Sequence, residues 1–388
     1  MIPYGRQDIN QDDIDAVVEV LRSDFLTQGP KVPEFEQQVA SYCGASHAVA
    51  VNSATSALHI ACMALDVGPG DVVWTSPNTF VASANCARYC GAEVDFVDID
   101  PSTWNLCPQK LADKLADAKR QNRLPKVVIP VHLCGQSCDM AAIHELSQQY
   151  RFRIIEDASH ASGGRYRDEP VGNCRYSDIT VLSFHPVKVI TTAEGGMALT
   201  NNTELAERMA RLRTHGITRD PAQMVNEPAG PWYYEQLELG YNYRMTDLQA
   251  ALGISQMRRL DEFVARRNEL AKRYDQLLAD LPVTCPTVIA EAYSSWHLYP
   301  LRLQLDRIKR SHRKVFEALR GGSIGVNLHY MPVHLQLYYR QLGFKEGQFP
   351  EAEQYAREAI SIPLYPALTD EMQVAVVENV AQAVRGML

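Results

Sequence analysis

No run of 18 or more apolar residues occurs in this 388-residue chain, and its opening MIPYGRQDINQDD has no apolar core of the sort a secretory leader carries. The sequence therefore reads as neither membrane-spanning nor exported by that route, and a cytoplasmic location is expected. Cysteine spacing excludes a further class. Among nine cysteines, Cys86/Cys90 and Cys134/Cys138 are each separated by three residues, not by the two of zinc and redox CxxC sites. His132 lies near the second pair without an evident fourth ligand, so no metal is expected and the thiols read as buried and free in a reducing compartment. The phosphate loops GxxxxGK[ST] and GxGxxG are missing, as are fixed-period repeats and low-complexity tracts. Positive charge is in deficit: 38 Lys and Arg stand against 46 Asp and Glu, a formal net charge of -8. Such a surface repels nucleic acid and anionic membranes, so an anionic ligand has to be met by a local cluster. With no basic surface or appended helix-turn-helix, a non-catalytic cofactor-binding regulator or interaction protein is disfavoured.

What is present is the balance of an ordinary globular protein, 46% hydrophobic and 22% charged. The length allows about two or three domains at ~150 residues each. Helix-like and strand-like segments alternate. HAVAVNS, DVVWTSP, EVDFVDID, KVVIPVHLCG and FRIIEDAS read as short apolar strands, and between them run SATSALHIACMALDV, FVASANCARYCG, LADKLADAKRQ and AAIHELSQQY at helical spacing. Near-continuous apolar strands in β-α alternation predict a largely parallel sheet covered on both faces. After Gly253 the texture changes. Residues 254 to 281 give one long charged amphipathic pattern, closed by Pro282, as expected of a helix that bridges two domains. We place a large domain over 1–250 and the linking helix with a smaller α+β domain over 251–388.

The stretch SFHPVKVITTAEGG, 183–196, places one lysine in an unusual setting. Ile179 to Phe184 is β-branched and apolar, so the chain delivers Lys188 just past the end of a buried strand, where open α/β folds keep their chemistry. Asp157 ends another such strand, in RIIEDASHA. Thirty-one residues separate the two, room for a loop and one more strand, so both side chains can meet at one sheet edge. A plain salt bridge would satisfy the pair. Pyridoxal phosphate explains more, because it requires a lysine amine, a carboxylate to keep its pyridine nitrogen protonated, and donors for its phosphate. VNSATSALHIA supplies the last: Ser53-Ala54-Thr55 opens a helix directly after a strand, where free N–H groups favour an anion, although an N-cap alone also accounts for it. Ser183 offers a second hydroxyl.

With these residues assembled, the chain resembles the sugar aminotransferases of the DegT/DnrJ/EryC1 family. The likeness covers essentially the whole length and rests, in order, on LTQGPKVPEFE, NSATSAL, TFVASAN, VHLCGQ, IEDASHA, SFHPVKVITTAEGG, GYNYRMTDLQAALG and HYMPVH. It implies an aspartate aminotransferase-like α/β architecture of fold type I, with a mostly parallel seven-stranded sheet and a smaller C-terminal α+β domain. It implies that Lys188 is the Schiff-base lysine, Asp157 the partner of the pyridinium nitrogen, His160 a partner of the phenolic oxygen and Phe80 the ring stacked on the pyridine. Ala54, Thr55 and Ser183 match phosphate-binding positions. Asn242 matches a residue that reaches the phosphate from a neighbouring subunit, which implies a homodimer with shared active sites.

Within the family, HPVKVITTAEGG and the insertion RDPAQMVNEPAGPWYYEQLELGYNYRM look most like aminotransferases of the pseudaminic acid pathway. Many relatives carry Asn after the lysine where this chain has Val189. The resemblance implies transfer of the amine of L-glutamate, through pyridoxamine phosphate and with release of 2-oxoglutarate, to C4 of a UDP-linked 4-keto-6-deoxy-N-acetylhexosamine. It implies that the nucleotide sugar meets Tyr4, Asp24, Phe25, Leu26, Thr27, Ala54, Ser183, Asn242, Asn327, Leu328, His329 and Tyr330. The insertion from Arg219 to Gly240 is expected to join that site or the dimer wall, since long ordered loops are seldom idle. Sugar dehydratases on the same fold carry His in place of the lysine, and Lys188 argues against that reading.

Overall fold

The computed structural model describes residues 1–386. The main sheet has seven strands: β1 (His47–Val51), β2 (Val72–Thr75), β3 (Glu93–Phe96), β4 (Val127–Ile129), β5 (Arg153–Asp157), β6 (Ile179–Ser183) and β7 (Gly196–Thr200). Their spatial order is β1-β7-β6-β5-β4-β2-β3. The run from β6 to β3 is parallel, and only β7 pairs antiparallel, with β6 and β1 on its two sides. Every residue of β4 (VVI), β6 (ITVLS) and β7 (GMALT) is buried, in keeping with the mostly apolar content of strands covered on both faces.

Helices cover the sheet: α1 (Gln11–Leu21), α2 (Lys31–Cys43), α3 (Ala54–Ala64), α4 (Ala82–Tyr89), α5 (Pro108–Arg120), α6 (Met140–Tyr150) and α7 (Thr203–Leu212). Their starts follow sequence chemistry. Asn10 and Asp13 form a reciprocal capping box on α1, and the Ser53 hydroxyl caps α3 at the Ser56 N–H, 3.1 Å away. A second, antiparallel sheet joins Val283–Thr284, Tyr299–Leu303 and Ala359–Ile362. Its core packs Tyr299 and Leu301 against Leu270, Tyr274, Leu319 and Val376. The N-terminal arm is stitched onto this unit, with Ile2 O accepting from Gly325 N at 2.7 Å and Tyr4 O from Leu364 N at 3.0 Å.

The long pattern over 254–281 is two helices, α8 (Asp247–Met257) and α9 (Leu260–Leu277), broken at Arg258 and Arg259. Buried Asp13 is the reason. Its Oδ2 accepts from Gln256 Nε2 and from Arg259 Nη2, both at 2.7 Å, and Arg259 also reaches Asp8 at 2.7 Å. This polar knot turns the chain, and apolar spacing, which continues through it, carries no trace of the turn. The insertion closes as a hairpin pairing Ile217 with Gln236 and Thr218 with Glu235. Its loop is organised on Glu235, which accepts from the N–H groups of Val225 and Asn226, from the Asn226 amide and from the Tyr233 hydroxyl, all within 2.9 Å. All nine cysteines are free, six of them buried. Among the described residues no helix is long and apolar enough to cross a membrane.

Candidate active site

The antiparallel β6–β7 pair explains how Lys188 is presented. Ser183 pairs with Gly196, so residues 184–195 form a loop that leaves and re-enters neighbouring strands. Phe184, Val189 and Ile190 are buried and anchor it from below. Phe184 O accepts from Thr192 N and from the Thr191 hydroxyl, both at 3.0 Å. Gly196 has to lack a side chain: a Cβ there would lie 2.5 Å from the backbone of Ser53 and Ala54. The glycine thus lets the returning strand touch the start of α3, which brings the lysine loop and that helix N-terminus together.

Asp157 arrives from the adjacent strand, since β5 and β6 run parallel with Asp157 opposite Val181. The carboxylate is 4% exposed. Its Oδ2 accepts from the Ser83 hydroxyl at 2.6 Å and its Oδ1 from the Ser159 N–H at 3.1 Å. Burial strips water from the Lys188 ammonium and draws its pKa down from 10.5 to about 8, a shift opposed in part by the charge of Asp157. An amine so placed is partly neutral near pH 7 to 8.

These groups line one cavity of about 440 Å³, within the range of small-molecule sites. Ala54, Thr55, Phe80, Asp157, His160, Ser183 and Lys188 line it, as do Tyr4, Asn327, Leu328, His329 and Tyr330. Tyr4 comes from the stitched N-terminal arm and packs on His329 with ring centroids 5.3 Å apart. His329 is held through Nδ1 to the Ser361 hydroxyl at 2.8 Å, and burial with the Lys188 charge pulls its pKa down to about 3. His160 accepts the Cys134 N–H at Nδ1, 3.1 Å, which leaves its proton on Nε2, 3.1 Å from the Tyr330 hydroxyl. Burial first, then Lys188 and His329, keeps His160 far below its ordinary pKa, hence neutral.

Asp24, Phe25, Leu26, Thr27 and Asn242 are not in this cavity. All five are exposed; Thr27 bridges Thr246 and Leu26 O accepts from Asp247 N, which lays that segment against the start of α8, while Asn242 bridges Thr214. The insertion 219–240 also contributes nothing to the cavity of its own chain. His132 turns away as well, 2.8 Å from Glu156 and not on a metal cluster. Two lining residues carry no signal in the sequence. Ser83 is one turn beyond Phe80 on α4, and His297 lies in SSWHLYP at the entry to the second sheet, its Nε2 3.4 Å from the Lys188 Nζ.

The donor set fits pyridoxal phosphate: an amine of lowered pKa, a buried carboxylate with acceptor capacity left, an exposed aromatic face at Phe80, and hydroxyls beside the α3 N-terminus where backbone N–H groups await an anion.

The DegT/DnrJ/EryC1/StrS aminotransferase family model matches residues 7–381. The chain is 39% identical to the spore coat polysaccharide biosynthesis protein SpsC of Bacillus subtilis, over 99% of this chain and 97% of that one. It is 38% identical to the UDP-4-amino-4,6-dideoxy-N-acetyl-beta-L-altrosamine transaminase of Campylobacter jejuni, over 94% and 93%. Among solved structures, the putative sugar aminotransferase Spr1654 of Streptococcus pneumoniae in its PMP form superposes with a TM-score of 0.91 at 30% identity, covering 100% of both chains, and its PLP form with 0.89, covering 100% and 99%. Helicobacter pylori PseC, an aminotransferase involved in the biosynthesis of pseudoaminic acid, superposes with 0.90 at 30% identity over 99% of both. The chain belongs to the DegT/DnrJ/EryC1/StrS aminotransferase family, and its fold is that of these enzymes.

Proposed function

We propose that the protein is a pyridoxal phosphate-dependent aminotransferase that carries the amine of L-glutamate to C4 of a UDP-linked 4-keto-6-deoxy-N-acetylhexosamine, on a route to pseudaminic acid. The observation that carries the reading is the partly neutral Lys188 amine in a cavity shared with the buried Asp157 carboxylate. When bound, the cofactor supplies an electron sink that no side chain offers. Lys188 would tether it and, once displaced by the incoming amine, would take the proton from the α-carbon of the amino acid and deliver it to the C4′ carbon of the cofactor, the transfer running in reverse when the keto sugar is aminated. Asp157 would keep positive charge on the ring nitrogen, His160 would hold the phenolic oxygen, Phe80 the ring, and Ala54, Thr55 and Ser183 the phosphate. Tyr4 and the segment Asn327–Tyr330 receive the sugar nucleotide.

The exposure of Asp24–Thr27 and of Asn242, all outside the cavity of their own chain, supports a homodimer in which each copy completes the other's site. In that assembly the boundary between large and small domains falls near residue 250. The similarity to the Campylobacter enzyme and to PseC supports the substrate. SpsC, equally similar over the whole length, supports a second reading, a different nucleotide-linked keto sugar.

Incubation with the UDP-4-keto sugar, glutamate and pyridoxal phosphate is expected to yield the 4-amino sugar, located by NMR, with stoichiometric 2-oxoglutarate. Amination at C3, or turnover of dTDP-linked sugars alone, rejects the substrate and leaves the aminotransferase standing. Mixing Lys188→Ala with Asn242→Ala subunits is expected to restore one intact site per hybrid dimer, and a fully active monomer in sedimentation ends the shared-site reading.

A further inference from the structure

Four imidazoles line the cavity; His185 is exposed at its rim near Glu194, and among the other three, His160, His297 and His329, the ring nitrogens are not equally free. In His160 Nδ1 takes the Cys134 N–H and Nε2 faces the Tyr330 hydroxyl, so both are engaged. In His329 Nδ1 bonds Ser361 and Nε2 lies 3.4 Å from the Asn327 amide, so both are again engaged. His297 differs. Its Nε2 is 3.4 Å from Lys188 Nζ, and its Nδ1 is buried with no hydrogen-bond partner.

The ring is held in this place from behind. Arg267, 1% exposed on α9, donates through Nη1 to the carbonyls of Trp296 at 3.0 Å and His297 at 3.3 Å, and to Leu364 at 3.0 Å. Ser295 bonds the His160 carbonyl at 2.8 Å and the Asn268 amide bonds Ser294 O at 2.9 Å. Trp296 sits at φ 50, a left-handed conformation that a bulky residue rarely adopts, and it turns the chain just before the histidine. The ring of His297 stands edge-on to His160, centroids 4.5 Å apart. Four anchored residues and one uncommon backbone angle fix a single side chain against the lysine.

We infer that His297 is a positioning residue for Lys188, its Nε2 giving the lysine amine a fixed acceptor inside the cavity whenever that amine is not covalently engaged. The inference rests on the reading of Lys188 as tether and proton carrier. A primary amine swings on four methylenes, and a proton carrier that must meet the same carbon each turnover gains from having one resting direction. Acceptance at Nε2 requires a neutral ring with its proton on Nδ1. Burial keeps the ring neutral, and the charges of Lys188 and Arg267 act in the same sense. Facing the amine itself are Asp157, which favours its charge, and the Cys134 thiol, which burial keeps protonated. The unpartnered Nδ1 is the sign that packing alone did not choose this arrangement, since a buried polar atom without a partner is costly and such atoms gather at working sites.

The test reads the amine directly. In the apoenzyme, competitive acetylation of Lys188 followed by mass spectrometry across pH gives the midpoint and intrinsic reactivity of that one side chain. The parent is expected to titrate near 8. His297→Leu removes an acceptor that favours the charged amine, so the midpoint is expected to fall by roughly half a unit or more, with kcat of the loaded enzyme down ~10–100-fold and KM little changed. His297→Gln, whose amide reaches the place of Nε2, is expected to keep both near the parent, whereas His297→Asn, which reaches only the place of Nδ1, behaves as the leucine variant. Equal behaviour of Gln and Asn, or an unchanged midpoint in a folded leucine variant, overturns the inference. If the leucine variant does not fold, the Gln and Asn pair decides alone. Borohydride reduction of the loaded parent separates the two readings: a tag on a lysine other than Lys188 removes the proposed function, while the acetylation midpoints still report the contact.

Discussion

Glu156 and Asp157 are consecutive acids on β5, 5% and 4% exposed, and they face opposite sides of the sheet. Glu156 is closed. Its oxygens accept from His132 Nε2 at 2.8 Å, from Thr180 Oγ1 at 3.2 Å and from the Ser177 hydroxyl. His132 in turn takes the Cys138 N–H at Nδ1, which fixes its own proton on Nε2 and makes it the donor. Burial alone would raise the pKa of Glu156, and the hydrogen bonds outweigh it and hold the carboxyl below its ordinary value. Asp157 has two protein donors, Ser83 and the Ser159 N–H, and the rest of its acceptor capacity opens on the cavity. Burial, charge and sequence position are shared by the two acids. On the proposed function, what separates the structural carboxylate from the functional one is whether the protein itself has used all of its lone pairs.

The largest effect that would break this contrast is at the group Asp157 faces. Lys188→Met is expected to abolish turnover, and borohydride reduction of the loaded parent is expected to tag Lys188. The same variant has a second, opposite readout. The folded pKa of about 8 lies below the free value of 10.5, so at neutral pH the folded state pays for a charged amine that the unfolded chain carries freely. The penalty is complete below pH 8 and gone above 10.5, and it amounts to about 3 kcal/mol. Apo Lys188→Met is therefore expected to be more stable than the apo parent at pH 7 in urea denaturation, with the gap closing as pH rises through 8 toward 10.5. A gap independent of pH would mean the amine is not desolvated.

Exchanging the treatments of the two acids comes next. Glu156→Ala leaves His132, Ser177 and Thr180 without their acceptor and is expected to lower stability by roughly 3 kcal/mol, about one per bond broken. The kcat of whatever remains folded should stay within a few-fold of the parent. Asp157→Asn keeps the shape and loses the charge, so stability is expected to hold within about 1 kcal/mol while kcat falls ~10² or more. Crossed results, an active Asp157→Asn or an inactive but stable Glu156 variant, would reverse the assignment of the two faces.

Part of this was legible in the sequence and part was not, for physical reasons. Short apolar strands ending at Asp157 and Ser183 announce a parallel sheet and its working edge, because burial on both faces writes itself into residue type. Lys188 stands out for a like reason, being a charge delivered by a buried strand. The break at Arg258 and Arg259 is invisible, since it is made by Asp13, some 245 residues earlier, and apolar spacing continues across it. The insertion 219–240 shows its length but not that Glu235 gathers it into a hairpin clear of the cavity. His297 gives no signal at all. Its position depends on Arg267, a buried cation that donates to backbone carbonyls and so leaves no complementary residue to be read.

The smallest expected effect sharpens the comparison most. Asp157 is acceptor-only when ionised, so the 2.6 Å bond from Ser83 has the serine as donor, and the Thr79 hydroxyl, 2.8 Å from Ser83, must then donate to the serine. Ser83 thus aims the open carboxylate as Ser177 aims the closed one. Ser83→Ala removes one bond to a charged acceptor, worth ~1.5 kcal/mol, and is expected to slow kcat by roughly tenfold with little change in melting temperature, because the freed oxygen faces a cavity that water or ligand can enter. Ser177→Ala removes an equivalent bond to the buried Glu156, on the side away from the cavity. It is expected to lower stability by about 1–2 kcal/mol and leave kcat within twofold. Steady-state rates and denaturation curves on the two alanine variants give four numbers. If Ser83→Ala loses stability and not rate, or Ser177→Ala rate and not stability, lone-pair completion is not what distinguishes these two acids.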